Sequence, residues 1–267
     1  MTDRLPPVLL VGGGKMGAAM LAGWRERGIG AAVVIDPAPA ASALAGGEVT
    51  VVPSAAGVPP GFAPEAVVLA VKPQSAADAI PPVLGLIGEA VVLSIMAGKT
   101  TAGLAAVVGA ETPVVRAMPN TPAAVRQGIT VAFAGPGVTE AQRALCHALL
   151  EAIGVADWVD QEDLLDPVTA VSGGGPAYVF LLAELLERAA LEQGIPAPLA
   201  RKLARVTVTG SGALLAASEQ DAADLRIAVT SPGGTTQRAL AVLMEAWPEP
   251  MSQAIAAATA RSRELGG

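Results

Sequence analysis

Val8-Leu9-Leu10-Val11-Gly12-Gly13-Gly14-Lys15-Met16-Gly17 is the stretch that decides the fold. Four apolar residues of strand length run into a glycine loop, and the loop opens a helical pattern over Met16–Arg27. The spacing Gly12-x-Gly14-x-x-Gly17 is of the dinucleotide-binding kind. Glycine permits the tight turn and the close approach of backbone to a pyrophosphate, whose charge the helix N-terminus favours. By itself this spacing fits many proteins. Here an acid also follows about 20 positions on, as the fingerprint requires: Asp36 closes the next apolar run, Ala32–Ile35. A carboxylate there accepts hydrogen bonds from a ribose 2′-OH and repels a 2′-phosphate. No Lys or Arg occurs between Arg27 and Lys72 to offset it, so the sequence leans towards NADH over NADPH.

Outward from this unit the same rhythm continues to about Val159. Candidate strands are Val8–Val11, Ala32–Ile35, Ala66–Val71, Ala90–Ile95, Val114–Ala117, Ile129–Ala134 and Val155–Trp158, with helical stretches at Met16–Arg27, Ala76–Ile87, Thr101–Val108 and Thr139–Ile153. Continuous apolar strands with helical crossovers imply an α/β fold, a doubly wound and mostly parallel Rossmann-type sheet. After Asp160 the pattern becomes helical: Leu164–Val171, Ala177–Gln193, Pro198–Ala217, Ala222–Val229, Thr236–Ala246 and Met251–Leu265, with turns expected at Gly194-Ile195-Pro196 and Pro248-Glu249-Pro250. Two domains are expected, 1–160 and 161–267. Val179, Phe180, Leu181, Leu182, Leu185 and Leu186 surround one helix of the second domain, more apolar surface than a small domain buries, which implies a homodimer through it.

Composition removes several function classes. Hydrophobic residues are 52% and charged residues 15% of the 267, enough to build a sizeable core. The longest apolar runs are of strand length, below the roughly 20 residues that span a bilayer, and Met1–Pro7 lacks the pattern of a signal peptide. A cytoplasmic protein off the membrane is expected. The net charge of -7, with scattered basic residues, argues against nucleic acid as a partner. One cysteine, Cys146, and one histidine, His147, leave no material for an intrachain disulfide, a metal site built on several cysteines or histidines, or a histidine triad. Neighbours on a helix, these two point about 100° apart and make a poor dyad.

Four further segments carry chemistry. Ala70-Val71-Lys72-Pro73 ends a strand at the carboxyl edge, where such sheets bind ligands, and Pro73 holds Lys72 extended. Met118-Pro119-Asn120-Thr121-Pro122 is a proline-stiffened loop that could set Asn120 and Thr121 at a nicotinamide. Ser172-Gly173-Gly174-Gly175-Pro176-Ala177-Tyr178 starts a long helix, as a ligand loop or for close helix packing. Thr230-Ser231-Pro232-Gly233-Gly234-Thr235-Thr236 reads as an anion cradle of glycine N–H groups, hydroxyls and a helix start.

Gly12–Gly17, Ala70–Pro73, Met118–Pro122, Ser172–Tyr178 and Thr230–Thr236 together, in this order and over nearly the whole chain, resemble pyrroline-5-carboxylate reductase. The last motif is the most specific. The resemblance implies reduction of 1-pyrroline-5-carboxylate to L-proline by NADH or NADPH. It also implies an N-terminal Rossmann domain and a helical domain that interlocks in dimers, which some members assemble into decamers. By similarity, Val11, Gly12, Gly13, Gly14, Lys15, Met16, Ala70, Val71, Lys72 and Pro73 contact the dinucleotide, and the readings of the fingerprint and of the proline-stiffened loop add Gly17, Asp36 and Asn120. Ser231, Gly233, Gly234, Thr235 and Thr236 hold the substrate carboxylate, through the Gly234 and Thr235 N–H groups among others. Thr236 offers its hydroxyl to the ring nitrogen and acts as the catalytic residue, while Glu219 lies nearby through water. Gly174 stands where the family often has serine, and Asp221 where histidine is frequent.

A protonated cyclic imine is already an electrophile, so positioning does most of the work and no strong acid or base is needed. A β-hydroxyacid dehydrogenase, the nearest rival, needs a catalytic lysine early in the second domain, and no lysine occurs between Lys99 and Lys202. A reductase of another cyclic imine carboxylate stays open, because the cradle reads a carboxylate and packing sets the ring size. A non-catalytic NAD(H)-binding redox sensor would not need the second cradle.

Overall fold

The computed structural model describes residues 4–266. Eight strands form one sheet: β1 (Val8–Val11), β2 (Ala32–Ile35), β3 (Val49–Val52), β4 (Ala66–Leu69), β5 (Val91–Ser94), β6 (Val114–Met118), β7 (Gly128–Ala134) and β8 (Gly154–Trp158). Their order is β3-β2-β1-β4-β5-β6-β7-β8, and every pair is parallel except β6 with β7. The first six follow the Rossmann order, which reverses between β1 and β4 and opens a crevice there. The same unit carries α1 (Lys15–Arg27), α2 (Ala76–Ala79), α3 (Leu84–Ile87), α4 (Thr101–Val108), α5 (Glu140–Glu151) and α6 (Leu165–Val168).

Strand parity divides the core. Val8 and Leu10 enter one buried cluster with Met20, Leu21 and Trp24 of α1 and Leu149 of α5, while Leu9 and Val11 enter another with Ile80, Ile87 and Leu104. Successive residues of a strand face opposite sides, so a run without polar positions is what a doubly covered sheet demands. Trp24 is fully buried, and its indole N–H donates to the Leu149 carbonyl at 2.9 Å, removing the cost of burying that donor.

Three expectations about element boundaries need correction. The sequence reading lacks β3, because only a short 3-10 turn, Pro39–Leu44, separates it from β2 and the strand–helix alternation lapses. The single helix expected over Ala76–Ile87 is broken into α2 and α3 by a 3-10 turn at Pro81–Val83, since Pro81 and Pro82 lack the N–H groups a continuous helix needs. Pro248 and Pro250 do not form a turn: they open the helix Pro248–Gly266, whose first turn requires no donors.

By contacts the chain forms two compact units, one running to Gly173 and including the C-terminal stretch from Ala258, the other Gly174–Ala257. The first unit therefore extends past Asp160, where the rhythm of the sequence changes, because the turns after it are tied to the sheet by a buried ion cluster. Arg116 of β6 is only 6% exposed; its guanidinium lies 3.2 Å from Glu162 and 3.8 Å from Asp166. Glu162 also accepts the Thr101 N–H and hydroxyl at 2.7 and 2.8 Å, and Asp166 accepts the Ser262 hydroxyl at 2.6 Å. The buried guanidinium is thus paired, and its half-buried carboxylate partners are hydrogen-bonded as well, which offsets the cost of desolvating them.

The second unit is helical: α7 (Gly175–Glu192), α8 (Ala197–Ala216), α9 (Ala222–Ala228), α10 (Thr235–Ala246) and most of α11 (Pro248–Gly266), with α7 packed on α8. The helical run Glu162–Glu192 has a window of mean hydropathy 1.3, long and apolar enough to cross a membrane by length and composition. This corrects the expectation drawn from unbroken apolar runs: isolated charges interrupt the runs here without lowering the average. None of α7 is buried within the single chain.

Candidate active site

In the first unit the glycine loop meets the expected geometry. Gly12 has φ 103, and a Cβ there would stand 2.8 Å from the Ala70 carbonyl oxygen, so only glycine fits beside β4. A Cβ on Gly17 would collide with the Gly12 carbonyl, so α1 can start against the loop only with glycine there. Gly14 caps α1 without a side-chain hydrogen bond, no acid lies in the first turn, and Lys15 and Met16 occupy that turn. The first N–H groups of α1 thus have no partner within the helix.

A cavity of about 560 Å³ opens beside the loop and includes Val11, Gly12, Gly14, Asp36, Ala70 and Lys72 in its lining. Val71 lines it too, whereas Gly13, Lys15, Met16, Gly17 and Pro73 are not among its lining residues. Asp36 does more than wait for a ligand. Its carboxylate accepts the N–H of Gly13 at 2.7 Å and of Ala38 at 2.8 Å, bracing the glycine loop against the end of β2. Ser54 and Asp78 also line the cavity and were missed: Ser54 follows the unread β3, and Asp78 sits on a helix whose break by prolines went unread.

The Asn120 side chain braces its own loop. Its side-chain oxygen accepts the Ile129 N–H at 3.0 Å, and its amide donates to the Ser172 carbonyl at 3.3 Å. Ser172 lies inside the π-helical turn Thr169–Gly173, ahead of Gly174, the N-cap of α7, so its carbonyl is outside the α-helical ladder and takes the Asn120 amide instead. Two motifs distant in sequence are thereby joined.

In the second unit, Thr230–Thr236 forms a turn leading into α10. Gly233 has φ 72, and a Cβ on Gly234 would meet the Ser231 hydroxyl at 2.7 Å. The Gly234 N–H is already donated to the Ser231 carbonyl at 3.0 Å, and the Gly233 N–H to the Gln237 side chain at 2.7 Å. Donation to an anion therefore falls to the Thr235 and Thr236 N–H groups at the helix start, where no side chain caps, and to the hydroxyls of Ser231, Thr235 and Thr236, all exposed. Glu219 lies in the exposed link between α8 and α9 rather than on a helix.

Cys146 and His147 stand apart from these features. Burial pushes the Cys146 thiol up to about 12, which removes the thiolate and its reactivity. His147 Nδ1 accepts the Trp158 indole N–H at 3.3 Å.

Comparison with known proteins places the chain among relatives of one kind. A family model described as pyrroline-5-carboxylate reductase dimerisation matches residues 162–265, and one described as NADP oxidoreductase, coenzyme F420-dependent, matches residues 7–98. The pyrroline-5-carboxylate reductase of Pseudomonas aeruginosa is 38% identical over 266 residues, covering 97% of each chain. That of Mycobacterium tuberculosis is 38% identical over 289 residues, covering 97% of this chain and 96% of the relative. Among solved structures, a pyrroline-5-carboxylate reductase from Coxiella burnetii superposes with a TM-score of 0.88 at 32% identity over 97% of this chain and 98% of the other. A Plasmodium falciparum pyrroline carboxylate reductase with NADP bound gives 0.81 at 26% identity over 98% and 99%. On these relationships and the motifs above, this chain belongs to the pyrroline-5-carboxylate reductase family.

Proposed function

We propose that the chain reduces 1-pyrroline-5-carboxylate to L-proline with NAD(P)H as hydride donor, and that it prefers NADH. The observation that carries the reading is the uncapped start of α10 behind Ser231–Gly234, a carboxylate-sized set of donors in a chain that also holds a dinucleotide cradle. The cradle fits such a cofactor: Gly12 leaves no room for a Cβ, α1 starts without a side-chain cap, and the cavity of about 560 Å³ lies at the crevice of the sheet.

When bound, the nicotinamide supplies the hydride, which ends on the imine carbon as the proton ends on the nitrogen. The protein's own part is to hold and orient. Val11–Gly17 and Ala70–Pro73 hold the dinucleotide, and Asp36 receives the adenosine ribose and repels a 2′-phosphate. Asn120 acts by fixing its loop. Ser231, Thr235 and Thr236 take the substrate carboxylate, the Thr236 hydroxyl orients the ring nitrogen, and Glu219 acts through water. Holding the carboxylate turns one ring face to the nicotinamide; the carbon that takes the hydride becomes a CH2, so the L configuration is carried in on the substrate's carboxylate-bearing carbon. We also read the apolar faces of α7 and α8 as covered by a second copy rather than by lipid, giving a cytoplasmic homodimer or larger assembly.

The test is steady-state oxidation of NADH and of NADPH by the purified protein with 1-pyrroline-5-carboxylate, with the six-membered imine carboxylate and with neither. Turnover of the five-membered imine with a lower KM for NADH is expected. Preference for the larger ring would move the substrate, and turnover of neither would remove the reductase reading.

A further inference from the structure

The Gln237 side chain reaches back from the first turn of α10 so that its Oε1 accepts the Gly233 N–H at 2.7 Å. Gly233 sits at φ 72, in the left-handed region where glycine is at ease but is also free to leave. The Thr230 N–H is bound to Ile227 and the Gly234 N–H to Ser231, at 2.9 and 3.0 Å. These bonds fix the two ends of the turn, and the bond to Gln237 fixes the flexible residue between them to the helix. With the Gly233 and Gly234 N–H groups engaged, the Thr235 and Thr236 N–H groups stay unpartnered by the helix.

We propose that Gln237 is a positioning residue for the substrate carboxylate, holding the Ser231–Gly234 turn in its binding shape before the ligand arrives. The inference rests on the reading of Ser231–Thr236 as the carboxylate clamp. An amide oxygen suits the task because it accepts the N–H without placing a negative charge beside the carboxylate, as Glu would. Preorganisation lowers the cost of ordering the loop on binding, so its loss appears in substrate affinity rather than in chemistry.

The experiment compares Q237A and Q237L with T236A, reading KM for 1-pyrroline-5-carboxylate, KM for NADH, kcat and the melting midpoint. Gln237 is exposed, so both variants are expected to fold. Either should raise the KM for the imine by about 3–10-fold, the size of one lost hydrogen bond, and leave the KM for NADH, kcat and the midpoint unchanged. An unchanged imine KM in the Gln237 variants beside an impaired T236A would overturn the proposal and leave the clamp standing. Normal kinetics in all three would overturn the clamp as well. A rise in both KM values with a lowered midpoint would mark general loosening and also overturn the proposal.

Discussion

The proposed reaction rests on Thr236 and Asp36, to which it gives different roles. Thr236 stands at an exposed, uncapped helix start, and its hydroxyl is assigned to a ring nitrogen that carries charge in the reactive imine. Thr236→Ala should lower kcat/KM by roughly 10–100-fold, corresponding to ~1.5–3 kcal/mol for one hydrogen bond to a charged group; unchanged kinetics would take Thr236 out of the site. Asp36 braces the Gly13 N–H, and the proposal gives it the ribose as well. Asp36→Asn keeps an acceptor and removes the charge, so the ratio of kcat/KM for NADPH to that for NADH should rise about tenfold, or ~1.4 kcal/mol. An unmoved ratio would deny Asp36 its role in cofactor choice. At this scale the glycines and Asp36 were legible because their spacing alone carries the turn and the acid. The Gln237 brace was not, because one glutamine at a helix start gives no sign of which N–H its side chain will reach.

Elements are joined by contacts that no local pattern announces. Arg116 reads in sequence as one residue of a strand, yet it neutralises Glu162 and Asp166 and thereby connects β6 with α6, the start of α4 and the end of α11. Arg116→Met would leave two largely buried carboxylates without a cation and should cost about 3–5 kcal/mol, readable as a fall in the denaturation midpoint. A loss below about 1 kcal/mol, the range of an exposed pair, would show the cluster to be solvated. Asn120 likewise is a brace only through a residue 52 positions away, the Ser172 carbonyl in the π-helical turn. The strand–helix rhythm recovered most elements of the sheet, because alternating apolar runs follow from burial on both faces. It failed at β3 and at α2–α3, where a missing crossover helix and a pair of prolines broke the period being read.

Across the whole molecule, the apolar content of the second unit exceeds what one chain covers. Phe180 of α7 is 67% exposed and Val206 of α8 is 62% exposed, and α7, α9 and α10 contain no buried residue. Each such side chain gains about 1.5–3 kcal/mol on full burial, so a shared face repeated on two copies supplies a large association energy from residues that do nothing for the monomer. Exposure on this scale also explains why Glu162–Glu192 has the hydropathy of a bilayer helix: a face covered by protein and a face covered by lipid require the same residues. The two differ in what happens on dilution and on charging the face. The wild-type protein should sediment as a dimer or larger without detergent, with a melting midpoint that rises with protein concentration. Phe180→Glu or Val206→Glu should shift it to a monomer with reduced activity, because a carboxylate buried against the partner would be unpaired. A wild-type monomer that is stable and fully active at every concentration would refute the dimer, and a requirement for detergent would return the helix to the membrane.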